Sequence, residues 1–433
     1  MKNIIIVIVD AFRPENISLF GYDKKNDKNI KKIAGESLLF RQFFSSSNAT
    51  APSLNSIFTG KYPNNHGIIH QFPYTKDEEI DKFEKNVLWL PSYLKEKGYS
   101  TFAIDWIGMW FKEGFEYYEE RQEKGGNKFL NIPFIKKILL NLPNWAYKLG
   151  KKFVKSRASE KFAPPNETMN LAISKLKETQ KPFFLFVHFW DTHFPFSTIK
   201  NPKLCGKNDI EETLNKIKDK SQREYFKKRV TDINLPSVQD MINKYDLAIQ
   251  TIDYQIGRLY KFLKKNKLWD ETVLIILGDH GTNLIDHNIY FSSSSLFDST
   301  IHVPMIMHLP GINAKEINEF AQNVDILPTI FDYMKYATEE KIDGVSLMPL
   351  IEKNEIVRDK VFSFDGLSED IKSVRTKNRK LIIAENSKCN LCKSNHHEKI
   401  EEYDLEKDPE EKNNIFNGES DLKKFLASEE KDL

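Results

Sequence analysis

Asn3-Ile4-Ile5-Ile6-Val7-Ile8-Val9-Asp10-Ala11-Phe12-Arg13 is the stretch on which the fold of this chain turns. Six β-branched residues in unbroken succession leave no polar face. The run therefore predicts a short strand buried on both sides, as in a parallel sheet covered by helices. It ends at Asp10. Open α/β sheets gather their ligands beyond the C-terminal ends of such strands, which makes Asp10 a candidate site residue. The competing reading is an Asp that caps the next helix.

The same pattern recurs along the chain. Pro182–Phe189 predicts a second buried strand, running into Trp190-Asp191-Thr192-His193-Phe194-Pro195-Phe196. Thr272–Leu277 predicts a third, running into Gly278-Asp279-His280-Gly281 and then Asp286-His287. Ser100–Ile104 and Val303–Leu309 read as further strands. Between them lie amphipathic helical stretches, the longest over Asp240–Lys265 with Tyr245, Ile249, Ile252, Ile256, Leu259 and Leu263 on one face. Strands alternating with helices predict an α/β fold, a mostly parallel central sheet flanked by helices, with the strand-end residues converging at one edge. Past Asp343-Gly344 the character shifts to short strands. The expected division is a catalytic domain over 1–350, with insertions near 125–165 and 200–235, and a small C-terminal α+β subdomain over 355–433.

Asn48-Ala49-Thr50-Ala51-Pro52-Ser53-Leu54-Asn55-Ser56-Ile57-Phe58-Thr59-Gly60 follows the strand predicted over 38–44. Pro52 suits a first helical turn, so Thr50 falls at or just before a helix N-terminus, where free N–H groups and the dipole favour an anion. A hydroxyl there is either an ordinary N-cap or, beside a metal, a nucleophile toward phosphorus or sulfur.

Composition narrows the classes. A chain of 433 residues can bury a large core, and 29% charged with 40% hydrophobic residues suits a globular protein. A net charge of +2 argues against a protein-wide nucleic-acid footprint, so no nucleic-acid partner is expected. Cys205, Cys389 and Cys392 are too few for a disulfide framework, and the apolar run at the N-terminus is too short for a signal core or a membrane span. A cytoplasmic location is expected. Residues 129–157 carry Lys136, Lys137, Lys148, Lys151, Lys152, Lys155 and Arg157 and no acidic residue. They read either as a solvated insertion or as a peripheral membrane contact. Cys389-Asn390-Leu391-Cys392 with His396-His397 has spacing that could hold zinc, although a single CxxC at a hairpin tip reads first as an exposed turn.

Together these motifs resemble the sulfatase family of the alkaline phosphatase superfamily, over nearly the whole chain. The resemblance rests on Ile8-Val9-Asp10-Ala11-Phe12-Arg13, the block from Thr50 to Gly60, Tyr62-Pro63 with His66-Gly67, Asp191-Thr192-His193, Gly278-Asp279-His280-Gly281, Asp343-Gly344-Val345-Ser346-Leu347 and Tyr403-Asp404-Leu405 with Asp408-Pro409. It implies an alkaline-phosphatase-like fold and one divalent metal ion (Mn, Zn, Mg or Ca) held by Asp10, Thr50, Asp279 and His280. It also implies His193 as a catalytic group that contacts substrate or assists the leaving group. Asp191, His287 and Arg13 are further candidates for a substrate contact or a second metal.

The departures redirect the reading. The family's nucleophile position carries Thr50, and threonine cannot give formylglycine because its β-carbon bears a methyl group. Leu54 stands where Arg is expected, Ala11 where a second Asp is, Asp105-Trp106-Ile107 where a lysine–histidine pair is, and Ser293 where another lysine is. Most positive groups that would hold a sulfate are thus replaced. A Thr nucleophile resembles instead the nucleotide pyrophosphatase/phosphodiesterase and lipoteichoic acid synthase (phosphoglycerol transferase) branches. The expectation is metal-dependent hydrolysis or transfer of a phosphate (di)ester, lipid- or glycan-linked, without formylglycine. The alternatives are a sulfuric ester hydrolase with unmodified Thr and a non-catalytic metal-binding homologue.

Overall fold

The run Ile4–Val9 forms the middle of an eight-stranded sheet. Its strands are β1 (Asn3–Val9), β2 (Leu38–Phe44), β3 (Ser100–Asp105), β4 (Tyr117–Glu120), β5 (Phe183–Phe189), β6 (Thr272–Gly278), β7 (Met305–His308) and β8 (Lys315–Gln322). Their spatial order is β4-β3-β5-β1-β6-β7-β2-β8, and all pairings are parallel except those of β7. The structure is a computed structural model describing residues 1–85, 87–120, 163–179, 182–385 and 388–429. The basic segment 129–157, and the membrane contact expected of it, lie outside the described residues.

Every residue of β1 is buried, because each face of the sheet has its own core. Ile5, Val7 and Val9 face one cluster that includes Ile249, Ile252, Ile256 and Leu259 of the helix Val238–Lys265. Ile4, Ile6 and Ile8 face the other, with Leu54, Ile57 and Phe58 of the helix Thr50–Thr59, Leu94, and Leu327. Each such side chain contributes about 1.5–3 kcal/mol on burial, which is why a polar face could not have been spared. No helix among the described residues is long and apolar enough to cross a membrane.

Register sets up the site. Val9 pairs with Phe189 of β5 on one side and with Gly278 of β6 on the other. Asp10, Trp190 and Asp279 therefore leave the sheet at the same level. The 279–304 connection folds over this edge before β7 turns back antiparallel to β6.

A second sheet holds β9 (Lys360–Phe364), β10 (Ile371–Thr376), β11 (Arg379–Ala384) and β12 (Ile400–Asp404), all antiparallel, in the order β12-β11-β10-β9. It is seated on the loop that leads to Thr50. The Phe364 N–H donates to Ser46 O at 2.9 Å, the Ser363 hydroxyl to Ser45 O at 2.7 Å, and the Gly366 N–H to Asn48 Oδ1 at 2.9 Å. Buried Lys380 adds a charged clamp, with Asp298 at 2.9 Å and Glu411 at 2.7 Å.

Candidate active site

Thr50 is the first residue of its helix, and Ala49, extended at φ −139°, is the N-cap. The Thr50 hydroxyl makes no capping bond; it lies 3.2 Å from His280 Nε2. His280 Nδ1 is 2.7 Å from Gly281 O, a pure acceptor, so the proton sits on Nδ1. The Nε2 lone pair then points toward Thr50, toward Asp10 Oδ1 at 3.6 Å and toward Asp279 Oδ2 at 3.5 Å.

The carboxylates are arranged for a cation. Asp279 Oδ1 accepts N–H bonds from Ala11 at 3.1 Å and His280 at 2.8 Å. Asp279 Oδ2 and both oxygens of Asp10 are buried without a hydrogen-bond partner among the described residues. Burial, reinforced by the charges of Asp279 and Asp105, pushes the Asp10 pKa well up. Orphaned carboxylate oxygens cost free energy unless something positive meets them. Ligand atoms of Asp10, Asp279 and His280 all lie within 4.8 Å of one another. Oxygen and imidazole donors so spaced fit one divalent ion.

Behind Asp10 stands a pair that motif reading passed over. His188 Nδ1 is 2.8 Å from Asp105 Oδ1, and its Nε2 is 3.9 Å from Asp10 Oδ2. The Tyr118 hydroxyl also donates to Asp105, at 2.5 Å. The available signal was a lone histidine inside the otherwise apolar run Phe183–Phe189. Asp105, where the resemblance expects a cation, orients that histidine instead.

A cavity of about 470 Å³ opens over Thr50 and His280, walled by Phe72, Trp106, Trp110, Trp190, Phe194 and Phe291. His193 and Arg229 also face it. His193 Nδ1 donates to Phe194 O at 2.8 Å, and burial, then the charges of Arg229 and His280, lower its pKa to about 4. It is neutral at pH 7, with its Nε2 lone pair available. Arg229 comes from the helix Lys220–Ile233 in the charged insertion, and its guanidinium lies over the rings of Phe194 at 4.4 Å and Tyr225 at 4.7 Å. Among the described residues it is the one lysine or arginine lining the cavity. No motif marked it, because insertion helices are placed by tertiary packing alone.

Other candidates are placed elsewhere. Arg13 is 5% exposed and turned away from the cavity. It grips Asp286 at 2.5 and 3.3 Å and Thr282 O at 2.9 Å, holding the loop after β6 rather than a ligand. His287 sits at φ +52° with its ring stacked on Phe297, centroids 3.5 Å apart. Asp191 bonds the Thr198 hydroxyl, and burial pushes its carboxyl up to about 7. Neither belongs to the Asp10 cluster, so the structure does not assemble a second metal site from them. Leu54 is core, while Ser293 lines the cavity with its hydroxyl bonded to Gly281 O at 2.9 Å. The predicted exposed turn at Cys389 and Cys392 is a buried one: both thiols are enclosed by the second sheet's loops and the 292–296 segment.

Comparison with known proteins gives two family matches. The model described as sulfatase matches residues 2–336, and that described as N-sulphoglucosamine sulphohydrolase, C-terminal, matches residues 286–432. The arylsulfatase of Clostridium perfringens is 26% identical over 96% of this chain and 90% of its own length. Human iduronate 2-sulfatase is 25% identical over 72% of this chain and 60% of its own length. Among solved structures, the phosphonate monoester hydrolase of Agrobacterium radiobacter superposes with a TM-score of 0.65 at 19% identity, over 100% of this chain and 94% of that one. A 2-O glycosaminoglycan sulfatase does so with a TM-score of 0.69 at 18% identity, over 99% and 90%. At those identities the superpositions speak for the fold.

Proposed function

The chain belongs to the sulfatase family, and we propose that it cleaves a phosphate ester, a diester above all, with the Thr50 hydroxyl as nucleophile. One observation carries this reading. Thr50 Oγ1 lies at a buried helix N-terminus, 3.2 Å from His280 Nε2, while the positions where the family expects cations hold Leu54, Asp105 and Ser293. A phosphodiester presents two non-bridging oxygens where a sulfate monoester presents three, so it needs fewer donors. Arg229 can hold one, and the dipole of the helix that starts at Thr50 favours the other, the Ala51 N–H itself being engaged by Gln71 Oε1 at 2.7 Å.

Asp10, Thr50, Asp279 and His280 would hold the divalent ion, which supplies positive charge that acidifies a hydroxyl and offsets charge on the transferring group. In the first step the Thr50 Oγ–P bond forms and the ester P–O bond breaks, releasing an alcohol. In the second, water or an acceptor alcohol bonds to phosphorus and the Thr50 Oγ–P bond breaks. Neutral His193 accepts the incoming water's proton at Nε2. Its lowered pKa suits that role better than protonating a leaving group.

A second reading has its own support. The curated relatives named above are sulfatases, and one solved structural neighbour holds its substrate, a disulfated glucosamine. This favours a sulfate ester on a glycan, with the aromatic walls stacking on sugar rings. Matched p-nitrophenyl phosphodiester, phosphomonoester and sulfate separate the two. We expect the diester to turn over fastest with Mn²⁺, Zn²⁺ or Mg²⁺, and Thr50→Ala to lose about a thousandfold or more in kcat while staying folded. Faster sulfate turnover favours the second reading; wild-type turnover in Thr50→Ala removes Thr50 as nucleophile under either.

A further inference from the structure

The CxxC turn is built into the wall of the same cavity but belongs to no part of the ester chemistry. Lys388 and Asn395 form an antiparallel bridge, and the Cys389 N–H donates to Ser394 O at 3.0 Å. Lys393, directly after Cys392, takes a left-handed φ of +64°, and its N–H returns to Cys389 O at 2.8 Å. The turn aims the Leu391 N–H at Cys389 Sγ, 3.3 Å away. His396 Nε2 lies 2.9 Å from Cys392 Sγ. The two adjacent histidines divide their work: His397 is fully engaged, with Nδ1 on Glu401 at 2.6 Å and Nε2 accepting the Leu296 N–H at 3.0 Å. His396 alone is left to face the sulfurs.

We propose that Cys389, Cys392 and His396 form a structural metal site of the zinc class, separate from the catalytic cluster, that fixes one wall of the substrate cavity. The donor atoms of these three residues lie within 4.8 Å of one another, and both cysteines are nearly fully buried. Two sulfurs and one imidazole nitrogen are a donor set that zinc takes in preference to Mg²⁺ or Ca²⁺. The 2.9 Å contact between Cys392 and His396 must open to roughly 3.6 Å, the S···N edge of a zinc tetrahedron. A rotation of the partly exposed His396 ring supplies that, with water as the fourth donor. Binding releases the thiol protons to solvent.

The turn's neighbours give the site its purpose. Leu391, between the two cysteines, lines the cavity. The Asn390 N–H donates to Leu367 O at 2.7 Å, and Leu367 lines the cavity too. The Ser394 hydroxyl donates at 2.6 Å to Asp219, the N-cap of the helix that carries Arg229. An ion held here ties the second sheet's loop, the apolar wall and the Arg229 helix into one unit.

Cobalt(II) distinguishes this site from the catalytic one, because Asp10, Asp279 and His280 contain no sulfur. The reduced full-length protein loaded with Co²⁺ should show a near-ultraviolet thiolate-to-cobalt charge-transfer band. Cys392→Ser and Cys389→Ser should lose the band and bind one zinc ion fewer per chain, whereas Cys205→Ser should keep both and Thr50→Ala should keep the band. Zinc should slow amide exchange across 388–397 in the wild type and not in Cys392→Ser. Absence of the band in wild-type protein whose three thiols titrate as reduced would overturn the proposal, without need of any variant. So would a Cys389–Cys392 disulfide in protein isolated anaerobically, which would make the pair a redox couple instead.

Discussion

At the scale of single residues, Asp10 illustrates a site kept at a cost to stability. Its two oxygens are buried without a hydrogen-bond partner among the described residues, facing the charges of Asp279 and Asp105. Leaving such a group unsatisfied costs about 1–3 kcal/mol. Asp10→Asn should therefore raise the Tm of the metal-free protein while abolishing the rise that divalent ions produce in the wild type. Differential scanning calorimetry with and without chelator measures both, and a lower Tm for the metal-free variant would contradict the account. Arg229 has the opposite character, since its helix packs through other residues such as buried Phe226. Arg229→Met should leave Tm almost unchanged and raise KM about tenfold, ~1.4 kcal/mol, with kcat altered less. Steady-state kinetics on the best ester substrate decide this.

Between elements, the informative contact is the charged clamp that joins the second sheet to the segment around Asp298. Burial alone would raise the Asp298 pKa, but Arg375, 2.9 Å away, and Lys380 outweigh it and hold the carboxyl well below its usual range. A carboxylate depressed in the folded state contributes stability above its unfolded pKa of about 3.9 and loses it as pH falls below that value. Acid unfolding should accordingly include a component below about pH 4 that Asp298→Asn removes. Lys380→Met takes the cation from buried Glu411 and leaves Asp298 to Arg375 alone, and should cost about 3–5 kcal/mol in urea unfolding at neutral pH. The helix Thr50–Thr59 teaches a related point. It is buried along its whole length, so its apolar pattern answers to the core and its first residue is left to face the ligand.

For the molecule as a whole, the second sheet is part of the catalytic apparatus through contact alone. β9 and the turn after it hold Ser45, Ser46 and Asn48, the residues that lead to Thr50. Gly366 leaves no room at this contact: a Cβ there would meet Ala49 Cβ at 2.6 Å and Pro52 Cγ at 3.0 Å. Gly366→Val should push the loop that leads to Thr50 and lower kcat about a hundredfold, although the residue lines no part of the cavity. An unchanged kcat would show that the second sheet merely rests on the first.

Much of this protein could be read from local pattern, because local pattern was what the physics demanded. Ile4–Val9, Phe183–Phe189 and Thr272–Gly278 are apolar without interruption since both faces of each strand are covered, so parallel neighbours and helical layers followed directly. Parallel register then compelled Asp10 and the Asp279–His280 pair to one edge, and strand-end position alone marked them. Pro52 likewise placed Thr50 at a helix start. What pattern could not reach depends on contacts between residues far apart in sequence. Whether Arg13 faces a ligand or Asp286 is settled by the return path of the 279–304 connection, and the turn of His287 onto Phe297 belongs to the same loop. The cavity's cation comes from a charged insertion whose helix has no address until it packs. The burial of Cys389 and Cys392 depends on loops about a hundred residues away in sequence, such as that carrying Ser294. Periodicity reports which faces must be dry, whereas the identity of the neighbour across a dry or charged contact is a property of the assembled sheets.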